Sequence, residues 1–266
     1  MFENVRFQKR VVHPIKLKEL GYFRLFGKGS AVFGGKFVSQ ALSIIVCIKD
    51  YLVKGIKFKV KNINTGSDSS PASWWRKLCK VTDQLFVCGD LPHNPAKFEL
   101  MLAEWVDTGV THIVDVRGEW SDEKKVSELQ PQVVYSWLGT HDDGGLQDAE
   151  WFNVGVETIC EALADPNAKV VVHCHMGVNR APSMVFAALL ELGFDIEGAL
   201  DAIRDARPIA KILYAESAVA WFADRNGWGT SQRAEAQMRV RSWHVSNPAD
   251  LSWIISRIRL AEIEVA

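Results

Sequence analysis

The chain predicts an α/β fold, with a central, mostly parallel sheet flanked by helices. Three observations support this. Short apolar strands alternate with helical patterns between residues 85 and 225. A β-branched run, Val170-Val171-Val172, leads into a turn bearing His173 and Cys174. Helix start and stop residues punctuate the segment that follows. In order, strands are expected near 85–88, 112–116, 133–137 and 169–173, interleaved with helices near 96–107 and 151–164. Helices near 180–192, 195–206 and 213–225 follow, with Gly193 as a stop and Asp195 as an N-cap. Farther on, Asn247-Pro248-Ala249-Asp250 reads as a cap. Leu251, Ile254, Ile255 and Ile258 then form an apolar stripe at a spacing of three to four, expected to pack on the parent domain. Sheets of this kind bind ligands beyond the carboxyl ends of their strands, which is where the cysteine-bearing turn falls.

The segment from Val170 to Ser183 reads as strand, tight loop and helix start, with five residues between Cys174 and Arg180. Amides of such a loop, at His175, Met176, Gly177, Val178 and Asn179, can converge on a tetrahedral oxyanion at a helix N-terminus. Gly177 supplies the backbone freedom the turn needs, and Arg180 offers a planar fork to two phosphate oxygens. Under that positive potential Cys174 is expected to be a thiolate, the form that attacks. Lowering a thiol from about 8.5 to about 5 takes on the order of 5 kcal/mol. A helix end contributes only ~1–2 kcal/mol, so both Arg180 and the loop amides are required. His173 is expected to shape the loop, and His175 to sit near the pocket mouth. His141, Asp142, His173 and His175 fit no standard metal-ligand spacing, and no metal or cofactor is expected.

His173-Cys174-x5-Arg180 with Gly177 resembles the signature of the cysteine-dependent protein tyrosine phosphatases, in particular the dual-specificity branch and its bacterial and bacteriophage members. Val81 to Leu91 resembles that branch's opening strand, Gly109 to Val116 its Gly-x-Thr-His strand, and Arg207-Pro208-Ile209 its helix-ending element. The resemblance covers about residues 74–225. It implies a protein tyrosine phosphatase-like fold, a phosphocysteine on Cys174, and phosphate bound by Arg180 and the loop amides. It also implies an aspartic acid on a loop before the cysteine, which departing oxygen needs as a proton donor. Gap-free counting places Asp142 there, with Asp143 in reserve. The family's usual hydroxyl after the arginine is replaced by Ala181, so slow breakdown of the phosphoenzyme is expected. Cys88 is a resolving-cysteine candidate by the same resemblance, an inert core thiol by position. Trp120 and Trp137 are candidates for the pocket rim.

Charge divides the chain into three parts. Residues 1–70 carry 13 basic against 4 acidic side chains, residues 71–225 carry 13 against 24, and residues 226–266 carry 5 against 4. A basic segment (1–70), a catalytic domain (74–225) and a helical extension (226–266) are therefore expected, with Gly66 to Pro71 as linker. Ile56 to Lys61 alternates apolar residues with lysine, as a half-buried strand does. The basic segment is expected to be an appendage with a solvated lysine face, or else to dock on nucleic acid or another anionic surface. The apolar run at 37–48 is too short and polar to span a bilayer. With no secretory signal and five irregularly spaced cysteines, the expected compartment is the cytoplasm. The expected substrate is a phosphorylated protein or peptide. The alternatives are an RNA 5′-phosphatase, because the Gly177-Val178-Asn179-Arg180 ending also resembles relatives that remove phosphate from RNA 5′ ends, and a weakly active phospho-binding module, on Ala181.

Overall fold

The computed structural model describes residues 71–265. The expectations for residues 1–70, including docking on an anionic surface, lie outside the described residues. A 3-10 helix at Pro71–Arg76 leads into strands β1 (Cys79–Lys80) and β2 (Leu85–Cys88) and helix α1 (Pro95–Asp107). Strand β3 (His112–Arg117), helix α2 (Glu123–Leu129), strand β4 (Val134–Thr140), helix α3 (Ala149–Leu163) and strand β5 (Val170–His173) follow. Five helices then close the fold: α4 (Arg180–Glu191), α5 (Ile196–Ala206), α6 (Ala215–Arg225), α7 (Thr230–Ser246) and α8 (Leu251–Val265). The sheet order is β1-β2-β5-β3-β4, with only β1 antiparallel. The two-residue β1 and seven-residue α2 have no signature in the sequence reading, because elements this short carry no full hydrophobic period.

Strand alternation sorts side chains between two layers. Leu85, Val87, Val114, Val170 and Val172 pack against α3, α4, α5 and α6 on one face. Phe86, Cys88, Ile113 and Val171 meet Phe98, Leu102 and Trp105 of α1 and Val126 of α2 on the other. Helix α4 is buried along almost its whole length, which explains its near-continuous apolar run Met184 to Leu190. The caps act as their chemistry requires: Asp195 accepts from the Gly198 amide, and Gly193 adopts φ +88° just past α4. Asp250 accepts from the Trp253 amide. Helix α8 then buries Ile254 and Ile258 in a separate cluster with Trp75, Val178 and Ile209, roughly 1.5–3 kcal/mol for each isoleucine. This packing sets α8 beside the loop that follows β5. No helix among the described residues is long and apolar enough to cross a membrane.

Candidate active site

The loop 174–179 joins the central strand β5 to the buried helix α4, so both ends are anchored in the core. Gly177 adopts φ +61°, and a Cβ there would lie 2.4 Å from the Cys88 carbonyl oxygen and 2.5 Å from an Arg207 nitrogen. Only glycine fits. Arg207, at the end of α5 and 2% exposed, clamps the loop from beneath. Its Nε donates to the Gly177 carbonyl at 2.5 Å, and Nη2 donates to the carbonyls of Met176 (2.9 Å) and Trp75 (2.5 Å). The Asp90 amide adds a bond to the His175 carbonyl at 2.9 Å. The loop carbonyls are thus held underneath the loop.

Arg180 begins α4 with its side chain almost fully buried. Nη1 and Nη2 donate to the two carboxylate oxygens of Glu119 at 2.7 and 2.8 Å, and Nη1 also donates to the Thr140 carbonyl at 2.9 Å. Its Nε has no hydrogen bond and stands 3.5 Å from an Asp142 oxygen. Asp142 accepts from Asn179 Nδ2 at 2.7 Å and from the Tyr214 hydroxyl at 2.8 Å. Asn179 Oδ1 in turn accepts from the Leu213 amide at 2.7 Å and, at 3.3 Å, from the Ser183 hydroxyl. Asp143 caps the Gly145 amide locally at 2.8 Å. A pocket of about 400 Å³ brings together Cys174, His175, Met176, Val178, Asn179, Arg180, Asp142 and Asp143. Gly177 contributes backbone alone and does not line it.

The electrostatics correct one expectation. Cys174 is only 2% exposed, and burial pushes its thiol up from the ordinary value. The Arg180 charge and the amides of Ala181 and Gly177 oppose that rise, while Asp142 adds to it. Burial of the sulfur is the largest influence and outweighs the groups that favour the thiolate, while Glu119 occupies both terminal nitrogens of Arg180. Burial also works against Glu119, yet Arg180 holds its carboxyl below the usual range. Below the loop lies a dry charged network. Arg117, fully buried, pairs with Asp115 at 2.7 Å and Asp122 at 2.6 Å, and Tyr135 donates to Asp115 at 2.5 Å. His173, stacked edge-on to Trp105, lies 3.8 Å from Asp115, and neither of its ring nitrogens has a hydrogen-bond partner. Burial pushes its pKa down to about 4. Burial raises Asp90 to about 6 despite Arg76, His175 and Arg117. Cys88 is buried and unbonded, its thiol pushed well up by burial.

No family model matches the chain. Over 123 residues it is 32% identical to protein tyrosine phosphatase type IVA 3 of Homo sapiens, spanning 44% of this chain and 68% of that protein. Over 136 residues it is 32% identical to protein tyrosine phosphatase type IVA 2 of Mus musculus, spanning 47% of this chain and 78% of that protein. The chain belongs to the cysteine-based protein tyrosine phosphatase superfamily. The solved structure of PTPMT1 in complex with PI(5)P overlays with a TM-score of 0.47 at 20% identity, covering 62% of this chain and 99% of that one.

Several groups around the phosphatase's pocket escaped the sequence reading. Glu119 stands two residues past β3, at the carboxyl edge where ligands bind, and that position was the available signal. Tyr214 and the α8 residues Leu251, Ile255 and Arg259 reach the site only through tertiary packing. Trp120 stacks beside the pocket on His175, with ring centroids 5.5 Å apart. Trp137 instead lines a separate groove with His141 and Trp151, which corrects its expected place at the rim.

Proposed function

We propose that this phosphatase removes phosphate from phosphotyrosine in proteins, with phosphoserine and phosphothreonine as further substrates, using Cys174, Arg180 and Asp142. The observation that carries the reading is that a thiol, a guanidinium and a carboxyl from three elements share one small pocket. Cys174 loses its proton to solvent, and its sulfur attacks phosphorus as the ester P–O bond breaks. Arg180 and the loop amides hold the equatorial oxygens, and Asp142 gives its proton to the departing oxygen. Water then attacks the phosphocysteine. The Asp142 carboxylate takes the proton, the P–S bond breaks, and inorganic phosphate leaves with the thiolate restored. Asp142 is favoured over Asp143 because Asn179 and Tyr214 aim it at the loop, whereas the Asp143 carboxylate is turned back on its own backbone. The unpaired Arg180 Nε is a donor that a phosphate oxygen would satisfy. His173 and the Asp115 network support the loop from below. A nucleophile that must stay reduced suits the cytoplasm.

The test is phosphate release from phosphotyrosine and phosphoserine peptides and from p-nitrophenyl phosphate. Cys174→Ser should abolish release. Asp142→Asn should lower peptide turnover roughly 10²- to 10⁴-fold, with a smaller loss on the activated nitrophenyl ester. Undiminished peptide turnover in Asp142→Asn would remove that residue from the mechanism, and release by Cys174→Ser would overturn the whole reading.

A further inference from the structure

We infer that helix α8 is a substrate-recognition wall and that Arg259 binds an acidic side chain flanking the phosphotyrosine of a peptide substrate. This rests on the proposed phosphatase activity and deepens it. The pocket is lined on one side by Leu251, Ile255 and Arg259. These lie one helical turn apart, at i, i+4 and i+8, so they form one stripe facing the site. Leu251 and Ile255 are partly exposed and offer an apolar surface of the kind an aromatic ring covers. Arg259 is exposed and forms no ion pair among the described residues.

The charge layout points to a second anion. Besides Arg180, whose fork is filled by Glu119, Arg259 is the other arginine lining the pocket, and Glu119, Asp142 and Asp143 line it opposite in sign. A cation carried by α8 rather than by the loop or α4 can meet a carboxylate one or two residues along a bound peptide while Arg180 and the loop amides hold the phosphate. The wall is also pre-positioned. Ile254 and Ile258 anchor α8 against Trp75 and Val178, and Glu262 bonds His175 of the loop at 3.0 Å. The backbone that carries the cation is therefore rigid, and only the arginine side chain has to be ordered on binding.

The experiment uses the full chain and three phosphotyrosine peptides, with acidic, neutral or basic residues flanking the phosphotyrosine. We expect kcat/KM to favour the acidic over the neutral peptide by about fivefold at low salt, the upper end for a solvent-facing ion pair, and the preference to shrink as salt is added. Arg259→Ala should bring the acidic-to-neutral ratio to about one, and Arg259→Glu should invert it. Arg259→Lys should retain it, as should Arg257→Ala on the same helix outside the pocket. A ratio unchanged in Arg259→Ala overturns the inference, and so does a larger dependence on Arg259 for an inositol bisphosphate than for the acidic peptide. If the wild type releases no phosphate even from p-nitrophenyl phosphate, the proposed function fails instead, so the two failures are distinguishable.

Discussion

Replacing Gly177 by alanine isolates the backbone constraint on which the loop depends. The residue sits at φ +61°, a conformation that costs an L-residue about 1–2 kcal/mol. Added to this is a collision. The new Cβ would meet the Cys88 carbonyl at 2.4 Å, and Cys88 ends a strand paired to β5, so that carbonyl cannot retreat without breaking the sheet. The alternative is to displace Arg207, which would leave buried loop carbonyls unsatisfied at roughly 1–3 kcal/mol each. With each of the two carbonyls at the low end of that range, the expected loss of stability is about 3–4 kcal/mol. Gly193→Ala is the matched control, since its φ is +88° with nothing within 4 Å of the added carbon, and it should cost only the ~1–2 kcal/mol of conformation. In urea, with a slope of about 2 kcal/mol per molar, the Gly177→Ala midpoint should fall by roughly 1.5–2 M and that of Gly193→Ala by less than about 1 M. Phosphatase activity should collapse in the first variant and persist in the second. Equal midpoints in the two variants would refute the collision and with it the account of why the motif requires glycine.

Three further outcomes follow from the same geometry. Between about pH 4 and 6.5 two buried groups oppose each other, so wild-type stability should rise with pH only by the smaller contributions of His112 and His244, which burial also depresses. The depressed His173 contributes stability that is lost as pH falls through about 4, whereas the raised Asp90 contributes stability lost as pH rises through about 6. Asp90→Asn removes the second, so its stability should climb with pH across that window by up to ~3 kcal/mol, and urea midpoints parallel to the wild type would contradict the assignment. Glu119→Gln removes the bidentate carboxylate partner of Arg180 and leaves only Asp142 beside it, so alkylation of Cys174 by iodoacetamide should shift to lower pH, and an unmoved profile would show that Glu119 does not restrain the thiol. Finally, Ala181 offers no hydroxyl, and that of Ser183 bonds Asn179 and the Tyr214 amide. Rapid mixing should therefore show a burst of the first product that Ala181→Ser diminishes, whereas linear release in the wild type would rule out a slow second step.

The α/β class, the strand–loop–helix carrying Cys174 and Arg180, and the Asp195 and Gly193 helix boundaries were all legible from the order of residues alone. All of these depend on neighbours in the chain: β-branched alternation, a glycine with no side chain, a carboxylate near an amide. Periodicity also placed Leu251, Ile254, Ile255 and Ile258 on one stripe expected to pack on the domain; Ile254 and Ile258 are buried there, whereas Leu251 and Ile255 stay partly exposed. It took the packed fold to show that the adjoining flank of that helix borders the pocket, that Glu119 engages the guanidinium, and that Tyr214 and Asn179 orient Asp142. Those contacts join residues between 37 and 72 positions apart. The ionisation of Cys174 lies beyond local reading for the same reason. The motif supplies the groups that lower a thiol's pKa, but how dry the sulfur becomes and how much of the arginine's charge remains available are set by packing that no short motif records.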